Sequence, residues 1–203
     1  MNFKVPFNVF DVILLVVAVV GILRGRKHGM SEEMINLIKW CLTVVTCAFT
    51  YEPFGRFLAD TTSLTLLSCY LLAYVITASF ILGVFSLMKH LLGGKLIGSD
   101  IFGGAEYYLG MGSGLIRFGC VTICFLALLN ARYFSPLEVR AMEKFQDDVY
   151  GSNFFPTMHS AQATVFESSL SGPLIRQYLD FLLIRPTKVV NTQFKQKEYS
   201  FPQ

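Results

Sequence analysis

The sequence predicts an all-α membrane protein with four transmembrane helices and a C-terminal tail that holds two amphipathic helices. Of the 203 residues, 53% are hydrophobic and only 15% are charged, whereas a soluble domain is typically about 25% charged. Residues 64–88 contain no Asp, Glu, Lys, Arg or His. A run of this length exceeds the roughly 20 residues that a helix needs to cross a bilayer. Three further apolar segments lie before residue 130.

The four predicted spans cover residues 5–23, 34–51, 64–88 and 107–129. We expect the first span to be retained rather than cleaved as a signal peptide, because basic residues follow it instead of a small-residue cleavage site. Ser31 is expected to cap the second helix, since two acidic residues follow it, and Glu52-Pro53 is expected to end that helix. The chain thus divides into a four-span membrane domain, residues 1–130, and a polar tail, residues 131–203.

The tail has helical patterning but no spanning segment. Ser135-Pro136 offers an N-cap followed by proline at the first helical position, and apolar residues recur at helical spacing from Leu137 to Val149. A second amphipathic helix is expected at residues 173–184. It is too short to span a bilayer, so we expect it to lie in the membrane interface. Residues 185–203 are polar, and we expect them to be disordered.

The distribution of basic residues leaves the orientation in the membrane open. The connectors after the first and third spans are basic, which favours placing them in the cytoplasm and the two termini outside. Basic residues near the start of the tail remove this bias when they are counted. We therefore predict only that both termini lie on the same side.

Composition and motifs exclude several function classes. The net charge is only +3 and the basic residues are scattered, so no nucleic-acid partner is expected. The five cysteines all fall in apolar segments and match no metal-binding spacing, which indicates small apolar residues. The sequence shows no phosphate-binding loop or metal motif. We expect no enzymatic activity, cofactor or metal, with an intramembrane hydrolase as the minor alternative.

Three ionisable residues, Asp11, Lys39 and Arg117, lie inside predicted spans, where a charge costs about 2.5–3.5 kcal/mol on insertion scales. Lys39 is expected near the interface, where a long side chain can reach water. Asp11 allows two interpretations: a boundary carboxylate that reaches water, or a partner for Arg117. At 1.5 Å per residue, their predicted axial offset is about 9 Å. Arg117 stays protonated and falls near mid-membrane. We therefore expect it to face the bundle interior, either paired with Asp11 or hydrated in a cavity.

A second charged group consists of Arg24, Glu33 and Glu106, which the predicted spans place at one membrane face. These residues are either solvated interfacial charges or an ion-paired cluster that holds the first connector against the fourth span. Gly110 and Gly114 open the fourth span at positions i and i+4. This spacing favours close helix packing, and the alternative is a flexible helix that lines a pathway.

The same residues carry a resemblance to the colicin V production protein (CvpA) family of bacterial inner-membrane proteins. The first block resembles the family pattern of Asp, Arg-Gly, Gly, Glu and then Trp. It consists of Asp11, Arg24, Gly25, Gly29, Glu33 and Trp40. The second block consists of Glu106, Gly110, Gly114 and Arg117. The likeness covers about residues 8–130.

The second block departs from the family pattern at three positions. Glu106 stands where the family has Asp, Tyr107 where it has Arg, and Phe118 where it has Gly. The departures at 106 and 107 put any charge network at that face in question. The resemblance marks eight residues as determinants of structure or function: Asp11, Arg24, Gly25, Gly29, Glu33, Gly110, Gly114 and Arg117. We add Glu106, which stands at the family's Asp position, as a ninth.

The resemblance implies a role in the production or export of colicin V-like toxins or in cell-envelope homeostasis, without an established reaction. We therefore expect a non-enzymatic, multi-pass protein of the bacterial inner membrane. Its expected partners are the lipid bilayer and either further copies, bound through the glycine face, or other membrane proteins. The alternative is an oligomeric transporter or channel for a small solute or ion, with a pathway past Asp11 and Arg117. A membrane enzyme with its active site in the tail is a third possibility.

Overall fold

The computed structural model describes residues 8–92, 103–151 and 156–188, and these residues form an all-helical protein. The prediction of an all-α fold is confirmed. The six α-helices of the described residues are α1 (Val9–Thr61), α2 (Leu66–Leu92), α3 (Glu106–Asn130), α4 (Pro136–Tyr150), α5 (Met158–Phe166) and α6 (Ser171–Leu179). Short 3-10 turns occupy Gly103–Ala105 and Asp180–Leu182.

Helix α1 bends sharply at Gly29, which divides it into a first arm (residues 9–28) and a second arm (residues 30–61). Gly29 has φ 72° and ψ 172°, a left-handed conformation that only glycine adopts without strain. Phe10 and Tyr51 lie far from Gly29 on opposite arms, yet they belong to the same buried cluster. The two arms therefore fold back on each other as a hairpin, and Gly29 forms its tip.

Helix α3 packs against both arms of this hairpin. Gly114 lies beside Gly21 and Gly110 beside Gly25, so α3 runs antiparallel to the first arm. Further along α3, the Sγ atom of Cys120 lies 3.8 Å from that of Cys41 on the second arm. Helix α3 is therefore parallel to the second arm.

Helix α2 packs mainly on the second arm. The rings of Tyr51 and Tyr70 meet edge to face with centroids 5.6 Å apart, and the thiol of Cys47 donates to the Tyr74 carbonyl at 3.7 Å. Because α2 starts beside Tyr51, its C-terminal end lies at the same end of the bundle as the Gly29 tip.

Among the described residues, two helices are long and apolar enough to cross a membrane: Leu66–Leu91 and Gly103–Asn130. Large apolar side chains project outward from both, with Phe80 71% and Phe125 69% exposed. These helices correspond to the third and fourth predicted spans. The first two predicted spans fall on the arms of α1 and stay predictions.

Several predicted boundaries were wrong. Helix α1 runs through Pro53 to Thr61 instead of ending at Glu52-Pro53. It begins at Val9, where Asn8 and Asp11 form a capping box, so Asp11 lies in the first turn and not two turns inside a helix. Residues 5–7 of the first predicted span and residues 93–102 lie outside the described residues.

The tail is folded onto the end of the bundle opposite the Gly29 tip. Helix α4 is confirmed, with the Ser135–Glu138 capping box in place. The predicted helix at 173–184 was wrong in extent, because α6 ends at Leu179 and the chain then buries Leu183 and Ile184 against the bundle. Burial of these apolar side chains, rather than a continuous helix, determines the path of this segment.

Residues 185–188, which were expected to be disordered, are held by backbone hydrogen bonds. The Thr187 N–H donates to the Ala131 carbonyl at 2.9 Å, and the Tyr133 N–H donates to the Thr187 carbonyl at 3.1 Å. The prediction of disorder was therefore wrong for these residues. For residues 189–203 it falls outside the described part of the chain.

Candidate functional site

A glycine interface joins the first arm to α3. Gly21, Gly25 and Gly29 face Gly110 and Gly114 with almost nothing between the two backbones. A methyl group on Gly110 would lie 2.6 Å from the Gly25 carbonyl oxygen and 2.9 Å from the Gly29 Cα. Glycines at this spacing let helix backbones touch, and here they do so within one chain. The prediction of close packing is confirmed.

This burial contradicts oligomerisation through the glycine face. Gly110 and Gly114 are both buried by the chain's own first arm, so a second copy has no access to them. The alternative of a flexible or broken helix is also wrong, because the residues 110–114 are part of the continuous helix α3. A signal for the partner glycines was present in the sequence: Gly21, Gly25 and Gly29 repeat at every fourth position.

Arg117, which lies in the apolar helix α3, is paired with Glu33 of the second arm. Arg117 Nη1 donates to Glu33 Oε1 at 2.8 Å and to Oε2 at 2.5 Å. The side chains of Glu33 and Arg117 are only 2% and 11% exposed. His28 adds its Nδ1 atom at 3.9 Å from Glu33 Oε1. The expectation that Arg117 faces the interior as a paired charge is confirmed, but its predicted partner is not.

Asp11 lies at the other end of the bundle, so both interpretations of this residue were wrong. Gly21 lies beside Phe118, and Asp11 is ten residues further along the first arm, about 15 Å at 1.5 Å per residue. The guanidinium of Arg117 is directed the opposite way, toward the tip. The carboxylate does not reach water either, since Asp11 is 7% exposed.

The Asp11 carboxylate instead binds the tail. Its Oδ2 accepts from the Leu170 N–H at 3.0 Å, and its Oδ1 accepts from the N–H and hydroxyl of Ser171 at 3.1 and 2.5 Å. The Asn8 N–H donates to the same carboxylate at 3.0 Å. The N–H groups of Leu170 and Ser171 are donors at the start of α6 that have no partner within that helix. The Asn8 N–H is at the start of α1, so Asp11 caps both α1 and α6. Nothing in the local sequence indicates a partner 160 residues away.

Hydrogen bonds from Ser31 to Glu106 hold the Gly29 tip against the start of α3. Glu106 Oε1 accepts from the Ser31 N–H at 2.5 Å, and Oε2 accepts from the Ser31 hydroxyl at 3.0 Å. Ser31 therefore does not cap its own helix. The carboxylate of Glu106 satisfies a free donor at the start of the second arm, and the negative charge is favourable there.

The predicted cluster of Arg24, Glu33 and Glu106 is thus realised in a different form. The two carboxylates do hold the connector against α3, Glu33 through Arg117 and Glu106 through Ser31. Arg24 is exposed and lines a cavity beside them.

This cavity has a volume of about 400 Å³ and lies among the two arms, the end of α2 and α3. Four cationic side chains line it against two carboxylates. These charged residues are Arg24, Lys39, Lys89, Arg117, Glu32 and Glu33. Because Arg117 neutralises Glu33, three cationic side chains remain against the single carboxylate of Glu32. The net charge of the cavity lining is therefore positive, which suits an anionic ligand. Sequence reasoning missed the cavity, since residues from four separate segments form it.

The tail is attached at a further point that the sequence did not reveal. Asn130, 1% exposed, donates through Nδ2 to the Ile184 carbonyl at 3.0 Å and accepts from Arg176 Nη2 at 3.3 Å. The Tyr51 hydroxyl accepts from the Arg185 N–H at 3.3 Å.

Across the described ranges, no group of three or more His, Cys, Asp or Glu is placed to hold a metal ion.

A helical bundle with outward apolar side chains, a buried ion pair and backbone-to-backbone glycine contacts is typical of a helical membrane protein. The family model described as colicin V production protein matches residues 10–163. The chain belongs to this family. The match extends past residue 130, so the family's sequence pattern includes α4 and the start of α5. The comparisons found no match among curated proteins or solved structures.

Proposed function

We propose that this chain is a four-span protein of the bacterial inner membrane that acts without catalysis in the production or export of a colicin V-like toxin, or in cell-envelope homeostasis. Membership of the colicin V production protein family carries the biological part of this proposal. The arrangement of the helices supports the four-span part.

The two arms of α1, together with α2 and α3, run alternately in opposite directions. The Gly29 tip, Lys89 near the end of α2 and Glu106 at the start of α3 share one end of the bundle. The opposite end holds Asp11, Asn130 and the docked tail. Four crossings of one bilayer would give this pattern, with both described ends of the chain on the same side.

A structural rather than catalytic role is supported by the state of the charged groups in the bundle. Glu33 and Arg117 are bonded to each other, and Asp11 is occupied by four donors from the backbone and Ser171. A general acid or base needs a proton it can exchange with a substrate. Groups committed to internal bonds are better suited to fixing the relative positions of helices.

Topology mapping tests the four-span part of the proposal. Single cysteines introduced as Lys27→Cys near the tip and Asp60→Cys at the end of α1 are treated with an impermeant thiol reagent in intact cells and in inverted vesicles. We expect the two positions to label from opposite sides. The unaltered chain is the control, because its five cysteines all lie in predicted spans. Labelling from the same side would contradict four spans.

Complementation tests the biological part. A strain lacking the gene is supplied with the wild-type chain, with Glu33→Ala or with Glu143→Ala, an exposed control on α4. Toxin secretion and resistance to envelope stress are then measured. We expect Glu143→Ala to restore both measurements and Glu33→Ala to fail, while full restoration by Glu33→Ala would contradict the proposal.

The positively charged cavity favours a second candidate function, transport of a small anionic solute by an assembly of copies. A pathway would begin at the cavity beside Arg117, whereas Asp11 is covered by the tail and would not line it. Flux of an anionic solute into proteoliposomes that is abolished by Arg24→Gln with Lys89→Gln would favour this candidate. Absence of flux with the wild-type chain would favour the structural role.

A further inference from the structure

The charged cavity lies next to an apolar groove between α2 and α3. Trp40 and Val121 line both of them. The groove has a volume of about 180 Å³ and exists because α2 packs on the second arm and makes little contact with α3. A polar compartment and an apolar one are therefore neighbours on the same side of α3.

The groove runs from the cavity toward the middle of α2. Its walls are formed by Tyr74, Ala78 and Leu82 of α2 and by Cys124 and Phe125 of α3. Leu82 and Tyr74 lie seven and fifteen residues before Lys89, or about 10 and 22 Å at 1.5 Å per residue. Half the hydrocarbon thickness of a bilayer, about 15 Å, falls within this range. The groove thus follows the depth that one lipid leaflet occupies.

We propose that the cavity and groove together bind one lipid with an anionic phosphate headgroup. The headgroup lies among Arg24, Lys39 and Lys89, and one acyl chain lies along the groove. Basic pockets between transmembrane helices are suited to anionic lipid headgroups. The inference rests on the proposed insertion in the membrane, but not on a role in toxin production.

Two features favour a lipid over a free phosphate ion. The volume of about 400 Å³ is within the range of sites for drug-sized ligands, roughly 300–1,000 Å³, and exceeds what a single small ion requires. The groove walls near Leu82 are apolar and offer nothing to a soluble anion. The bonded pair of Glu33 and Arg117 adds a rigid wall to the cavity.

Trp40 provides an intrinsic reporter, because it is the only tryptophan in the chain and it lines both compartments. The full-length protein in mild detergent is titrated with phosphatidylglycerol that carries bromine on its acyl chains, which quenches nearby tryptophan fluorescence. Brominated phosphatidylcholine is the matched zwitterionic lipid. Inorganic phosphate is added in a third arm as a competitor.

We expect saturable quenching by the anionic lipid at concentrations where the zwitterionic lipid has little effect. The double variant Arg24→Gln with Lys89→Gln should bind the anionic lipid about 30-fold more weakly than the wild type does. The matched control is Arg26→Gln with Lys27→Gln, which removes the same charge near the tip without altering the residues that line the cavity. This control should bind as the wild type does.

A second pair of variants tests the groove. Ser79→Phe places a ring in it, whereas Gly83→Phe adds the same ring on α2 where a Cβ has nothing within 4 Å. We expect Ser79→Phe to reduce quenching several-fold and Gly83→Phe to leave it unchanged.

Three results would overturn the proposal. Equal quenching by both lipids would leave membrane insertion intact but remove the headgroup site. An unchanged Ser79→Phe variant together with complete competition by inorganic phosphate would show an anion site without a lipid. No quenching by either lipid would contradict the lipid site, whereas membrane insertion is tested separately by the topology mapping.

Discussion

A single guanidinium nitrogen of Arg117, Nη1, donates to both carboxylate oxygens of Glu33, 84 positions away in the chain, at 2.8 and 2.5 Å. Both side chains are buried away from solvent. Each charged group therefore replaces the water that the other has lost. The pair joins α3 to the second arm just below the Gly29 tip.

Replacing Arg117 with Ala should lower the free energy of unfolding by about 3–5 kcal/mol, because it leaves the Glu33 carboxylate buried without a partner. Thermal denaturation in detergent measures the change. Arg117→Met combined with Glu33→Leu should recover most of the loss, since replacing both charges removes the unpaired group. Arg140→Ala on the exposed face of α4 is the control. Equal stability of Arg117→Ala and the wild type would show that Glu33 does not need the arginine.

The glycine interface should tolerate no side chain at its contact points. Gly110→Leu should destabilise the bundle by at least about 1–3 kcal/mol, the usual cost of overpacking, because even a methyl group meets the backbone of Gly25 and Gly29. Gly112→Leu and Gly119→Leu are matched controls on the same helix, since a Cβ at either position has nothing within 4 Å. Comparison of monomeric yield and melting temperature in detergent checks this prediction. A melting temperature for Gly110→Leu equal to that of the controls would contradict it.

Loss of the Asp11 carboxylate should release the tail. Asp11→Ala removes the acceptor for the donors of Leu170 and Ser171, and hydrogen bonds to a charged group contribute about 1.5–3 kcal/mol each. We expect residues 156–188 to become sensitive to limited proteolysis while the helices of the bundle stay protected. Asp60→Ala, at an exposed position near the end of α1, is the control. Unaltered cleavage of Asp11→Ala would mean that the tail is held mainly by its buried apolar residues.

The contact between Glu106 and Ser31 should make a smaller contribution. Glu106→Ala removes a carboxylate that caps the second arm, and loss of a helix cap costs about 0.5–2 kcal/mol. Hydrogen exchange should increase in the first turn after Gly29, with little change in α2. An unchanged exchange rate at Ser31 would contradict this assignment.

The sequence was sufficient for the features that depend on local patterns. The length of the apolar runs predicted α3 and the core of α2, and the Ser135–Glu138 capping box predicted the start of α4. The spacing of Gly110 and Gly114 predicted close packing, because small residues at every fourth position lie on one face of a helix.

The features that the sequence did not predict depend on how distant helices are arranged relative to one another and on which way their side chains point. A count of residues from the membrane surface placed Asp11 within reach of Arg117, but it took no account of the direction of the arginine side chain. That direction is determined by Glu33, which lies beyond the bend at Gly29. The cavity and the docking of the tail likewise bring together residues from distant segments, and no periodicity in one segment encodes such contacts.

The position of the Asp11 bonds has a consequence for biosynthesis. The partners of this carboxylate lie 159 and 160 residues downstream, so the ribosome must add them about 8–32 s after Asp11 at 5–20 residues per second. Throughout that interval the Asp11 carboxylate has only the Asn8 N–H of its own helix, and not the tail donors, to bind. Completion of the native fold therefore waits for the last quarter of translation, and a truncated product lacking that quarter would leave the Asp11 carboxylate without its donors from Leu170 and Ser171.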